Sequence, residues 1–264
     1  MSADLSSYYD VSFLWTLFLL TTRSTGILFA LPGVGTSQIP ALVRMSVAIL
    51  IGLAATTSGV KAPQPEHLID GGLMVISEFT LGYLLATIPA MIVSSLAITG
   101  QVVSGTIGLG FANLIDPSIG QSLAILARIE SLVATLVFLL VDGHHVIIRA
   151  VTGYGGNLPI GSFYPGMETG LFFLERFSAV FEVAIICSAP ILVSILVTQF
   201  VLGLITKSVP QVNIFIISLP LTIGMGLYIT AYTFPGMIEN LLGEFDQMEE
   251  YVGQLFLTTQ HIAP

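Results

Sequence analysis

The sequence predicts an all-α membrane protein of about six apolar helical segments, several of them kinked or hairpin-like. Three observations carry this. Of 264 residues, 54% are hydrophobic and 9% are charged, with a mean hydropathy of +0.94, whereas a soluble domain carries about 25% charged residues. A chain this size cannot hide so much apolar surface in one water-facing core, so lipid or protein partners must cover it. The apolar residues gather into six stretches, roughly 11–31, 41–60, 71–98, 123–141, 177–205 and 212–234, and a bilayer-spanning helix needs ~20 mostly apolar residues. Helices are expected throughout, because an open sheet cannot satisfy its backbone in lipid. No polar block is long enough to fold separately, so residues 1–264 are expected to form a single integral membrane domain.

Taken in order, the first run follows a segment with Asp4 and Asp10 and no Lys or Arg. The basic region of a cleaved signal is missing, so this run is expected to stay in the mature protein. The third run belongs to a longer uncharged stretch, Phe79–Ile115. The fifth and sixth lie within Val183–Thr206 and Ser208–Ile238. The fourth is different: eleven uncharged residues separate Glu130 from Asp142, which makes a poor lipid-facing span. Pro89, Pro190 and Pro220 fall inside apolar runs and are expected to kink or break their helices. The overlong third and sixth runs favour hairpins or half-helices packed on other proteins. On a six-span topology Lys61, Arg149 and Arg176 fall on one side and Arg44, Arg128 and Lys207 on the other. The positive-inside rule then gives no orientation, and the tie itself hints that six simple spans are not the topology.

Residues 236–264 change character. Ile238, Leu241, Leu242, Phe245, Met248, Val252 and Leu255 recur at helical spacing opposite Glu239, Glu244, Asp246, Glu249 and Glu250, which predicts an amphipathic acidic helix. With no Lys or Arg after Lys207, anionic headgroups repel it. A partner protein, met through Leu242 and Phe245, or a solvated acidic face are the two readings. The formal net charge of −9 argues against nucleic acid and anionic lipid as partners.

Charges inside or flanking apolar runs are Arg23, Glu78, Arg128, Glu130, Glu182 and Lys207. Charge at membrane depth is costly, so such residues face a bundle interior, a cavity or a partner. Structural pairing between helices or subunits, for example Arg23 with Glu78, is favoured over an ion relay because the carboxylates are scattered. Cys187, the one cysteine, reads as a small buried hydrophobe. His144 and His145 point about 100° apart on a helix, and zinc needs three or four ligands. A cap or interface role is therefore expected, with no metal and no cofactor. No nucleophile–base spacing or phosphate loop appears in context, so no enzyme is expected.

The segment Gly100–Gln121, GQVVSGTIGLGFANLIDPSIGQ, carries glycines at 100, 105, 108, 110 and 120 and then an Asp116-Pro117 turn. Irregular backbone at membrane depth is tolerated where it is buried in protein or lines a cavity, which makes this a candidate constriction loop. A glycine-rich helix-packing face is the alternative, and composition alone favours it.

Two blocks are specific beyond composition: Gly108–Ala150, with Gly143-His144, and Pro190–Gly226, with Val-Pro-Gln-Val-Asn-Ile-Phe at 209–215. Leu-Pro-Ile-Gly at 158–161 adds to them. On these elements the chain resembles the FliR family of flagellar export-gate proteins, whose relatives serve injectisomes. His145, Thr152-Gly153-Tyr154 and Gln199-Phe200 depart from the family pattern. The resemblance implies a bacterial inner-membrane protein at the flagellar basal body. It would be joined with FliP-like and FliQ-like subunits in a cone-like type III export gate, with an FlhB-like subunit at its base, conducting unfolded substrates. Much of that cone lies above the bilayer plane, so hydropathy overcounts true spans. Gly108–Gln121 matches the family's plug, which raises the constriction reading for Gly105, Gly108, Gly110, Phe111, Asn113, Asp116 and Pro117. Small and apolar groups there would oppose hydration, and Asn113 and Asp116 would fix the turn. A secondary transporter or small-solute channel is the alternative. It predicts matched broken helices in two halves, and no such pair is visible.

Overall fold

The computed structural model describes residues 10–35, 39–109, 125–151, 159–208 and 214–260. Among these residues there are eight helices and no strand. They are α1 (Val11–Ala30), α2 (Ala41–Thr57), α3 (Leu68–Ile107), α4 (Ile125–Leu140), α5 (Gly143–Val151), α6 (Met167–Ser208), α7 (Ile214–Asp246) and α8 (Met248–Gln260). Each apolar run holds a helix, and the helices of the third, fifth and sixth extend beyond their apolar limits. Among the described residues, four stretches are long and apolar enough to cross a membrane: α1, α3, α6 and Ile216–Thr258; α2 is apolar but shorter.

The prolines do not divide these helices. Pro89 lies inside the 40-residue α3, Pro190 inside the 42-residue α6, and Pro220 and Pro235 inside the 33-residue α7. The hairpin expectation for the third and sixth runs is therefore corrected: each is one helix. An interior proline removes one donor and bends the helix, and the remaining ladder persists around it. The C-terminal amphipathic segment, in contrast, is not one helix. α7 stops at Asp246 and α8 restarts at Met248.

The chain forms two compact units, and α3, α4, α6 and α7 each contribute to both. The first comprises residues 1–91, 138–176 and 245–264. Asp10 caps α1, its carboxylate accepting from the Ser12 hydroxyl (2.9 Å) and amide (3.4 Å). These two bonds hold the Asp10 carboxyl below the usual carboxylate range. α2 returns against α1, where Gly52 lies on the Thr21 backbone. The following loop is pinned to α1 by two bonds, Trp15 Nε1 to the Pro63 carbonyl (3.0 Å) and the Ala62 amide to Thr16 Oγ1 (3.0 Å). Leu19, Leu20, Ile27, Leu81, Leu85, Phe138, Ile147 and Phe163 fill the core of this unit. α8 closes it with Tyr251, Val252, Leu255 and Phe256.

The second unit comprises residues 92–137 and 177–244. Here α3, α4, α6 and α7 meet over Leu96, Val103, Ile107, Ala134, Ile191 and Ile195. Buried hydroxyls bridge helices: Thr99 donates to the Ala184 carbonyl and Thr222 to the Ile107 carbonyl, each at 3.3 Å. Gly226 makes room for Ile107 and Ile195.

Candidate functional site

In the first unit two glycines set the height at which two charges meet. Gly26 on α1 lies against the Phe79 carbonyl and the Tyr83 amide, and Gly82 on α3 lies against the Arg23 carbonyl. A Cβ at either position would run into the facing backbone, so the helices cross in direct contact. One turn away Arg23 and Glu78 face each other, both side chains fully buried. The pair is bidentate: Nε donates to Oε2 (2.5 Å) and Nη2 to Oε1 (3.0 Å). Nη1 donates to the Val151 carbonyl at the end of α5 (2.8 Å), and the Gly161 amide donates to Glu78 Oε1 (2.6 Å). Gly161 presents that N–H with φ +79, a conformation glycine adopts without a steric penalty. Four chain segments are thus tied to one charge-neutral node, in the two-pronged geometry that makes Arg–carboxylate pairs strong.

The second unit holds the other buried acid. Glu130 on α4 is fully buried, and neither carboxylate oxygen has a hydrogen-bond partner among the described residues. It fits because residue 100 is glycine: a Cβ there would sit 2.8 Å from Glu130 Oε2 and 2.6 Å from the Ala127 Cα. Gly100 is therefore a packing niche inside α3. Glu182 is exposed on α6 and lines an open groove of about 240 Å³ with Asn240 and Glu244. Arg128 and Lys207 are also exposed. Lys207 lies in the last turn of α6, where a cation suits the helix dipole.

At the end of α3 the glycines separate by role. Gly105 is within the helix and exposed, and among the described residues nothing beyond its own helix backbone lies within 4 Å of a would-be Cβ. Gly108 has φ +89 and stops the helix, and the Leu109 amide reaches back to the Ser104 carbonyl (3.2 Å). This is a Schellman termination, with glycine in its usual left-handed position. Gly110, Phe111, Asn113, Asp116 and Pro117 lie outside the described residues.

The C-terminal contact residues differ from each other. Leu242 is half-buried, while Phe245 is 5% exposed with its ring centroid 5.6 Å from that of Phe138. The expectation that Phe245 projects toward another protein is met by a different arrangement, since its apolar face is already taken up within the chain.

Residues 14–248 match the model of the bacterial export proteins, family 1. The chain belongs to this family. Among similar proteins, the flagellar biosynthetic protein FliR of Aquifex aeolicus is 26% identical over 248 residues, covering 92% of this chain and 96% of that protein. FliR of Bacillus subtilis is 27% identical over 216 residues, covering 80% and 83%. The Yop proteins translocation protein T of Yersinia pestis is 24% identical over 213 residues, covering 79% and 81%. The family match takes in the Arg23–Glu78 node, Gly161, Glu130 and the end of α3. Sequence reasoning missed the two backbone partners of the node, Val151 and Gly161. The only trace of the second was the Leu-Pro-Ile-Gly element at 158–161.

Proposed function

We propose that this protein is a structural, pore-forming subunit of the flagellar type III export gate, through which unfolded substrates cross the bacterial inner membrane. The observation that carries this reading is the family match along residues 14–248, with FliR proteins and an injectisome translocation protein among the relatives. The helices support it physically. At 1.5 Å per residue α3 and α6 are each about 60 Å long, roughly twice the ~30 Å hydrocarbon core. A helix that long and that apolar needs protein to cover what lipid does not. Only 33% of the most apolar part of α6 is buried by this chain, and 17% for the stretch in α7 and α8. Among the described residues, Gly105, Gly203 and Gly224 sit in helices with open space beside them, the small-residue surface that lets a neighbouring helix approach closely.

In this reading FliP-like and FliQ-like subunits cover the open faces and an FlhB-like subunit joins at the base. The stretch after Gly108 closes the conduit as a plug, without covalent chemistry. The Arg23–Glu78 node keeps the fold in register while substrate passes. The test is purification of the chain from cells that express the full gate. It is expected to be retained in a complex with FliP-like and FliQ-like subunits. A monodisperse single chain that binds a small solute would instead support a transporter.

A further inference from the structure

We propose that the corner between α4 and α5 is a transition-metal site built from Asp142, His144 and His145. One donor atom from each residue lies within 4.8 Å of the others. The backbone arranges this. Asp142 has φ 56, a left-handed conformation that Asp tolerates better than most residues. Its carbonyl accepts from the His145 amide (2.8 Å), and its carboxylate Oδ1 lies 3.4 Å from His145 Nδ1. The two imidazole rings lie close together, tilted at 38° with centroids 4.2 Å apart. The expected 100° divergence holds for Cβ directions along a regular helix. It does not bind the ring positions here, because both histidines stand in the first turn of α5 and converge by side-chain rotation.

The chemistry of the set is selective. Two imidazoles and a carboxylate suit Zn²⁺, Co²⁺, Ni²⁺ or Cu²⁺, whereas Mg²⁺ and Ca²⁺ prefer oxygen alone. Tetrahedral bonds of about 2.0–2.2 Å put donors about 3.4 Å apart, a small rotation of exposed side chains from the present spacing. The Asp142 and His145 side chains are 71% and 55% exposed, so an ion enters from solvent and keeps water in its open positions. His144 Nδ1 is buried without a hydrogen-bond partner among the described residues. A bound ion would draw this ring into a fixed orientation that the protein alone does not impose. The ion would join the end of α4 to the first turn of α5 across the Asp142 corner.

The test uses the full chain in lipid nanodiscs, purified through a tag that contains no histidine, titrated calorimetrically with Zn²⁺ and spectroscopically with Cu²⁺. One Zn²⁺ per chain is expected, with affinity at least tenfold weaker in His145→Ala and retained in His145→Cys, since a thiolate can replace the imidazole. The Cu²⁺ resonance is expected to show two coordinated imidazole nitrogens, falling to one in His145→Ala. Both substitutions alter an exposed side chain, and circular dichroism checks that the helices persist. Absence of saturable binding would overturn the proposal, as would Zn²⁺ binding that His145→Ala leaves unchanged.

Discussion

Arg23 and Glu78 are isolated in the sequence by 55 positions and fully buried in the fold, joined by two hydrogen bonds. A buried pair adds little net stability over an apolar pair of similar shape, yet removing one partner strands the other, at about 3–5 kcal/mol. Glu78→Ala is therefore expected to lower the thermal unfolding midpoint sharply in detergent. The double variant Arg23→Met with Glu78→Leu is expected to recover part of that loss. Two backbone groups are left over, the Gly161 amide without its acceptor and the Val151 carbonyl without its donor, and each such buried group costs about 1–3 kcal/mol. Equal midpoints for Glu78→Ala and the parent chain would show that the node does not hold the fold. The charges themselves were legible, because a charge in an apolar run has few places to go. Their backbone partners were not, because a carbonyl or an amide carries no residue identity. Gly100 was open to two readings and proves to be a niche for Ala127 and Glu130. Gly108, eight residues on, proves to be a helix stop. Glycine spacing alone could not separate a packing role from a termination role.

At the scale of elements, the positions of the helices followed from hydropathy, and their ends did not. Leu68–Ile107 and Met167–Ser208 extend through prolines and past their apolar cores. The sequence shows that a proline removes a donor; whether the neighbouring hydrogen bonds keep the helix going depends on packing. The C-terminal segment shows the opposite limit, since its helical periodicity continues across the break at Gln247. Its apolar side faces inward at Phe245, Met248, Val252 and Leu255. This separates two substitutions that looked equivalent. Phe245→Asp is expected to destabilise the chain itself, by at least the ~3–5 kcal/mol of a buried Phe truncation, and to reduce its level in the membrane. Leu242→Asp, at a half-exposed position, is expected to leave the chain folded and to weaken its retention by partner subunits. Quantifying chain level and co-purified subunits for each variant checks both. Normal assembly of Leu242→Asp would remove α7 from the list of partner surfaces.

For the whole molecule, family membership over residues 14–248 and the wide exposed apolar faces of α6 and α7 point to a chain completed by other proteins. On the proposed function, the stretch that begins where Gly108 ends α3 is the plug of the conduit. If apolar contact closes the pore, its removal leaves a path that wets and conducts ions. The most direct measurement is ion conductance across the inner membrane of cells expressing the full gate with residues 110–116 deleted, compared with the intact gate at matched assembly. Raised conductance at matched assembly is the predicted result; unchanged conductance at matched assembly would contradict the plug and the account of the closed gate built on it.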